Sequence, residues 1–131
     1  MFSEKVINLF ANAENVGILN SATAVGVYTN DKNEVFKLYL KIEDGKIINA
    51  SFKAYTGVIG VAMMSIYAEM LKGLTMEEAE KVTSEQVLEQ IGNVGQKYEY
   101  LASDVLESYK VAIEEMNKKK EKEAKKKTSQ D

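Results

Sequence analysis

Cysteine and histidine are both absent from the 131 residues, so the side chains left to do chemistry are carboxylates, hydroxyls and amines. Thiolate nucleophiles, disulfides and a Ser-His-Asp triad are excluded. A metal site would have to be built from carboxylates, carbonyls and hydroxyls. Those ligands suit Mg²⁺, Ca²⁺ or Mn²⁺, not zinc or iron–sulfur clusters. The candidate acid–base groups are Asp31, Lys97 and Tyr98. Lysine and tyrosine serve in that role only when burial or a neighbouring charge moves their pKa, and no sequence pattern points to such burial here. A carboxylate pair of Asp31 with Glu43 or Asp44 is a further arrangement, but nothing in the sequence brings these residues together.

The elements that must position these groups are legible from caps and periodicity. Ser3 is a helix N-cap, and Val6, Ile7 and Phe10 give a short amphipathic helix to about Ala13, ended by Asn15-Val16-Gly17. Thr23–Thr29 is β-branched and small. Glu34–Glu43 alternates, with Phe36, Leu38, Leu40 and Ile42 on one face and Lys37, Tyr39, Lys41 and Glu43 on the other. Asp44-Gly45 is a two-residue hairpin turn, and Lys46–Tyr55 alternates again with Ile48, Ala50, Phe52 and Ala54 inward. This is an antiparallel meander with one buried and one wet face. Val58–Leu71 is almost wholly apolar, as a central helix is, and its methionines read as core filler. Lys72-Gly73 ends it, and capping boxes at Thr75–Glu78 and Thr83–Gln86 start two short helices. A long helix runs from about Gln96 past Met116. The predicted class is α+β: an N-terminal helix, a three-stranded antiparallel meander, then four helices on one face.

Length and composition fit one domain, residues 1–117, with residues 118–131 a Lys-rich tail expected to fray or be disordered. Formal net charge is −3 but unevenly spread. Asn117–Asp131 holds seven lysines against Glu121, Glu123 and Asp131, a net +4, and the remainder is −7. An acidic body with a short basic tail is not a nucleic-acid-binding profile, although the tail suits an anionic surface as well as a solvated helix end. No apolar run reaches membrane-spanning length and no secretory signal precedes the first helix, so the expected compartment is the cytoplasm.

Several motifs, in order, resemble the NifU/IscU family of iron–sulfur cluster scaffolds: Ser3-Glu4-Lys5-Val6-Ile7, Asn15-Val16-Gly17, Phe52-Lys53-Ala54-Tyr55, Glu69 with Lys72-Gly73, Met76-Glu77-Glu78-Ala79, and Leu101-Ala102-Ser103-Asp104. The resemblance spans roughly residues 3–116. It implies a scaffold rather than an enzyme, one that in the family holds a [2Fe–2S] cluster or zinc through three cysteines, a histidine and an aspartate. Matched by motif, the first cysteine, in an A-C-G-D turn, falls on Thr29 with the aspartate retained as Asp31. The second falls on Gly57, and the histidine–cysteine pair on Lys97 and Tyr98. The L-P-P-V-K chaperone motif is replaced by Ile91-Gly92-Asn93-Val94-Gly95.

With every thiolate and imidazole replaced, no metal or cofactor is expected. The resemblance then implies action through protein contacts, for example with a cysteine desulfurase, by way of Phe2–Phe10 and Lys110–Lys127. An alternative is a small-anion or small-molecule module, because the starts of two helices near Gly57 and Lys97 would converge at the former metal end. The tyrosines read as edge packing, with Tyr98 and Tyr100 as a plug over that end.

Overall fold

The computed structural model describes residues 2–129; Met1, Gln130 and Asp131 lie outside the described residues. The elements are α1 (Glu4–Ala11), β1 (Ala24–Thr29), β2 (Val35–Glu43), β3 (Lys46–Tyr55), α2 (Val58–Leu71), α3 (Met76–Glu80), α4 (Ser84–Ile91) and α5 (Tyr100–Ser129), with one 3₁₀ turn at Gln96–Tyr98. The α+β order expected from the sequence is the one found.

Local chemistry accounts for the boundaries. The Ser3 hydroxyl accepts from the Val6 N–H at 3.2 Å. The Thr75 hydroxyl accepts from Glu78 N–H at 3.1 Å while the Glu78 carboxylate accepts from Thr75 N–H at 3.0 Å. Thr83 and Gln86 repeat the exchange at 3.2 and 3.0 Å. Each pair satisfies N–H groups that a helix start leaves without a partner. The hairpin turn has positive φ at both Asp44 (52°) and Gly45 (75°), as a two-residue turn requires.

The sheet is a meander in the order β1-β2-β3, all antiparallel. One expectation fails inside it. Ile48, read as inward, is 46 % exposed, and Ile47 is fully buried instead. The cause is a bulge: Lys41 pairs with Asn49, but Ile42 pairs with Ile47, so Ile48 is the extra residue on β3. A one-residue offset moves every side chain beyond it to the other face, and simple alternation cannot anticipate that. The far edge of β3 is closed by Asn15 and Gly17, which exchange backbone bonds with Phe52, and by Gly73 and Leu74, which do so with Ile47.

Phe36, Leu38, Leu40 and Phe52 form the floor of the core, each fully buried. Above them lie α2, whose Met63, Met64, Tyr67 and Leu71 are buried, and α5, which contributes Leu101, Val105 and Ala112. Helix α5 meets β1 at Gly26, where a Cβ would stand 2.3 Å from the Ser108 carbonyl oxygen and 2.4 Å from the Ala112 nitrogen. The other face of the sheet carries no helix. Tyr39 on it is nevertheless only 5 % exposed, because the Lys37 side chain lies across its ring with Nζ 5.2 Å from the centroid. Helix α5 continues through the Lys-rich stretch to Ser129, and residues 117–126, after the buried Met116, are exposed. Lysine, glutamate and alanine are good helix formers, which is why the charge run does not break it.

Candidate functional site

At one end of the sheet the β1–β2 turn, the end of β3 and the starts of α2 and α5 converge, and their polar side chains form one network. Asn30, immediately after β1, is 8 % exposed. Its Oδ1 accepts the backbone N–H groups of Lys32 (2.9 Å) and Glu34 (3.0 Å), an Asx turn that shapes the loop. Its Nδ2 donates to Asp104 Oδ2 at 2.8 Å and to Glu34 Oε1 at 3.1 Å. Glu34 also accepts from the Tyr100 hydroxyl at 2.7 Å and from the Thr56 hydroxyl. The close approach of Thr56 to α2 depends on Gly60, where a Cβ would meet the Thr56 hydroxyl oxygen at 2.3 Å. The Lys32 ammonium caps the network, 3.5 Å above the Tyr100 ring.

The electrostatics separate the two carboxylates. Burial alone would raise the Glu34 pKa, but the hydrogen bonds from Thr56, Tyr100 and Asn30 outweigh it and hold the group below its ordinary value. Asp104 is shifted the other way. Burial raises it, the negative charges of Glu34 and Asp31 add to the rise, and only Asn30 and Lys32 oppose it. The Tyr100 phenol is pushed up to about 12, first by burial and then by the carboxylate it serves, so it stays a donor.

A raised folded-state pKa means that ionised Asp104 costs stability at neutral pH, a cost that disappears as pH falls through that pKa. Asp104→Asn keeps an acceptor for Asn30 and removes the charge. At pH 7 it is expected to be neutral or stabilising by up to about 1 kcal/mol in urea unfolding. A loss of about 2 kcal/mol or more, the size of an unmade buried hydrogen bond, would show instead that Asn30 requires the charge.

Beside the network lies a cavity of about 90 Å³ lined by Phe2, Glu34, Thr56, Gly57, Gly60, Tyr98 and Tyr100 among others. Of the residues singled out from sequence, Gly57 and Tyr98 line it. Lys97 instead lines the neighbouring hollow under α1, with Phe2, Ser3, Val6 and Asn93. Its ammonium stands 5.0 Å from the Tyr98 ring centroid.

Thr29 and Asp31 do not line the cavity. Thr29 is still part of β1, paired with Val35, with an exposed side chain on the helix-free face, and Asp31 is exposed in the turn. The acidic side chain at the cavity is Glu34. Tyr98 and Tyr100 do lie over this end, but Tyr100 acts as a hydrogen-bond donor rather than an apolar plug. Sequence reasoning missed Asn30, Glu34 and Thr56. One available signal was Asn30-Asp31-Lys32-Asn33, a run of turn formers that places the loop one residue after the presumed ligand.

The donor set does not fit a [2Fe–2S] cluster or zinc. Among the described residues no three Asp or Glu side chains gather as metal ligands. The one carboxylate at the cavity already accepts from three side chains.

Comparison with known proteins gives a consistent picture. Residues 1–123 match the NifU-like N-terminal domain. The chain is 34% identical over 110 residues to the iron–sulfur cluster assembly scaffold protein IscU 1 of Archaeoglobus fulgidus, covering 81% of this chain and 72% of that one. It is 36% identical over 95 residues to IscU of Azotobacter vinelandii, covering 69% and 74%. Its fold matches the crystal structure of the N-terminal part of a NifU-like protein from Brucella abortus, with a TM-score of 0.70 at 16% identity over 89% of this chain and 94% of that one. A putative SUF-system scaffold from Fervidobacterium islandicum gives 0.67 at 20% identity, over 85% and 95%. With a family match across nearly its whole length and a scaffold relative above 30% identity, the chain belongs to the NifU-like N-terminal domain family.

Proposed function

We propose that this protein is a scaffold-family member that does not hold a cluster and acts through protein contacts in or near iron–sulfur assembly, with a cysteine desulfurase as the partner class. The observation that carries this reading is the Glu34 network. At the end of the sheet where the family's ligands are expected, Asn30, Thr56, Tyr100 and Asp104 satisfy one another through Glu34.

The geometry of the turn also favours a different match to the family's A-C-G-D. Asn33 has φ of 62°, a conformation glycine adopts freely, and it directly precedes the cavity-lining carboxylate. Lys32, Asn33 and Glu34 then take the places of the cysteine, glycine and aspartate, and a lysine stands at the ligand position. Residues 1–117 form the scaffold domain in this reading, and the Lys-rich helix beyond it is an appendage. Docking falls to Phe2 and to α1 behind it, with Phe2, Ile7 and Phe10 37, 51 and 45 % exposed, and to Lys110–Lys127. No helix among the described residues is long and apolar enough to cross a membrane. The role is non-catalytic and the proposed setting is the cytoplasm. The anion-binding alternative is weakened by Glu34, which already supplies a negative charge beside the start of α2.

Anaerobic reconstitution with iron and sulfide is expected to leave no visible absorption after desalting. Stoichiometric colour that survives desalting would overturn the claim. Recovery of a desulfurase on the tagged full chain from native extract, lost in Ile7→Glu with Phe10→Glu, is the expected result for docking. Equal recovery with that double variant would remove α1 from the interface.

A further inference from the structure

The helix-free face of the sheet has a charge pattern that neither the fold nor the cavity explains. Lys37 and Lys53 are direct partners in the β2–β3 register, and both project to this face. Like charges placed opposite one another across strands destabilise a sheet. Neither lysine is paired with a carboxylate among the described residues. Lys41 lies on the same face, and its partner Glu43, at 3.8 Å, stands at the far end of β2. A face with three lysines and one terminal glutamate sits on a body that is otherwise acidic. Beside the lysines two apolar side chains stand out into solvent: Val27 is 48 % and Tyr55 70 % exposed. Buried among them, the Ser51 hydroxyl has no hydrogen-bond partner.

We propose that this face is the docking surface for an acidic protein, whose carboxylates take the Lys37–Lys53 pair and whose apolar side chains rest on Val27 and Tyr55. The charge pattern selects an anionic partner and steers its approach. The aromatics select protein over single-stranded nucleic acid. Single-stranded nucleic acid needs a row of exposed rings on which successive bases stack; on this face Tyr55 alone among the described aromatic residues is exposed, and the central ring, Tyr39, is buried under Lys37. The surface is separate from α1, so it stands or falls independently of desulfurase docking.

The test is NMR titration of the full ¹⁵N-labelled chain with a decaglutamate peptide, and in parallel with a ten-residue oligothymidine. Expected are saturable shifts at Lys37, Tyr39 and Lys53 that weaken with salt, a loss of about tenfold or more in peptide affinity for Lys53→Glu, and retention within about twofold for Lys53→Arg. Lys53→Glu turns the like pair into an opposite pair, so without peptide its melting temperature is expected to rise by about 1–2 °C. The proposal is overturned if the shifts fall only on the helix beyond Met116, if Lys53→Glu binds as well as the native chain or melts lower, or if the oligothymidine binds this face as tightly as the peptide.

Discussion

Gly26→Ala is expected to cost about 3 kcal/mol or more, enough to leave much of the protein unfolded at 37 °C. The added methyl would meet the Ser108 carbonyl oxygen at 2.3 Å and the Ala112 nitrogen and Cα at 2.4 and 2.8 Å. These are backbone atoms in the middle of a long helix, so no rotamer change relieves the clash. Either α5 moves off β1 or the strand does, and both open the core under Ala112 and Leu38. Gly57→Ala is the matched control, since a Cβ there meets nothing within 4 Å, and its cost is expected to stay below about 0.5 kcal/mol. Urea midpoints of the two variants check the contrast. A loss under about 1 kcal/mol for Gly26→Ala would mean that α5 can slide along the sheet.

The second large effect is expected at Glu34. Glu34→Ala leaves the Asn30 amide and the Tyr100 and Thr56 hydroxyls without their shared acceptor, in a half-buried site. An unmade hydrogen bond costs more the less water can replace it, so with three half-buried donors released a loss of about 1–3 kcal/mol is expected. Because the folded-state pKa of Glu34 is lowered, the stability it contributes is present above its unfolded pKa of about 4.3 and is lost as pH falls through the folded value. Asp104 has the opposite sign and partly masks this, so the Glu34 contribution is best read by difference. Between pH 7 and pH 3 the urea midpoint of the native chain is expected to fall further than that of Glu34→Gln. Parallel pH profiles for the two proteins would refute the assignment.

The fold was largely readable because its signals are local. Ser3, Thr75 and Thr83 announce helix starts with their own side chains, and Asp44-Gly45 announces a turn by the backbone angles both residues accept. The failures share one cause, an offset that no local pattern records. Ile48 looks inward on the β3 alternation, and only the pairing with β2 reveals the extra residue. Thr29 and Asp31 were matched by motif alone; the proposed match at Lys32–Glu34 lies three residues further on, and only the fold of the turn, with Asn33 at positive φ, suggests it. The polar network was illegible for a different reason. Asn30 and Asp104 are 74 residues apart, and what joins them is the packing of α5 on β1. Gly26, which permits that packing, gives no sign in the sequence of how close the helix comes.

The Glu34 network also bears on what it would take to build a cluster site here. In the proposed match, a single cysteine placed at position 32, 57 or 98 would enter a site whose donors already share one acceptor, and one thiolate cannot hold a cluster. Each such step toward ligation gains nothing by itself. Selection acting one residue at a time therefore finds no intermediate to favour: several ligands would have to arrive together, around a carboxylate already committed to keeping the turn folded.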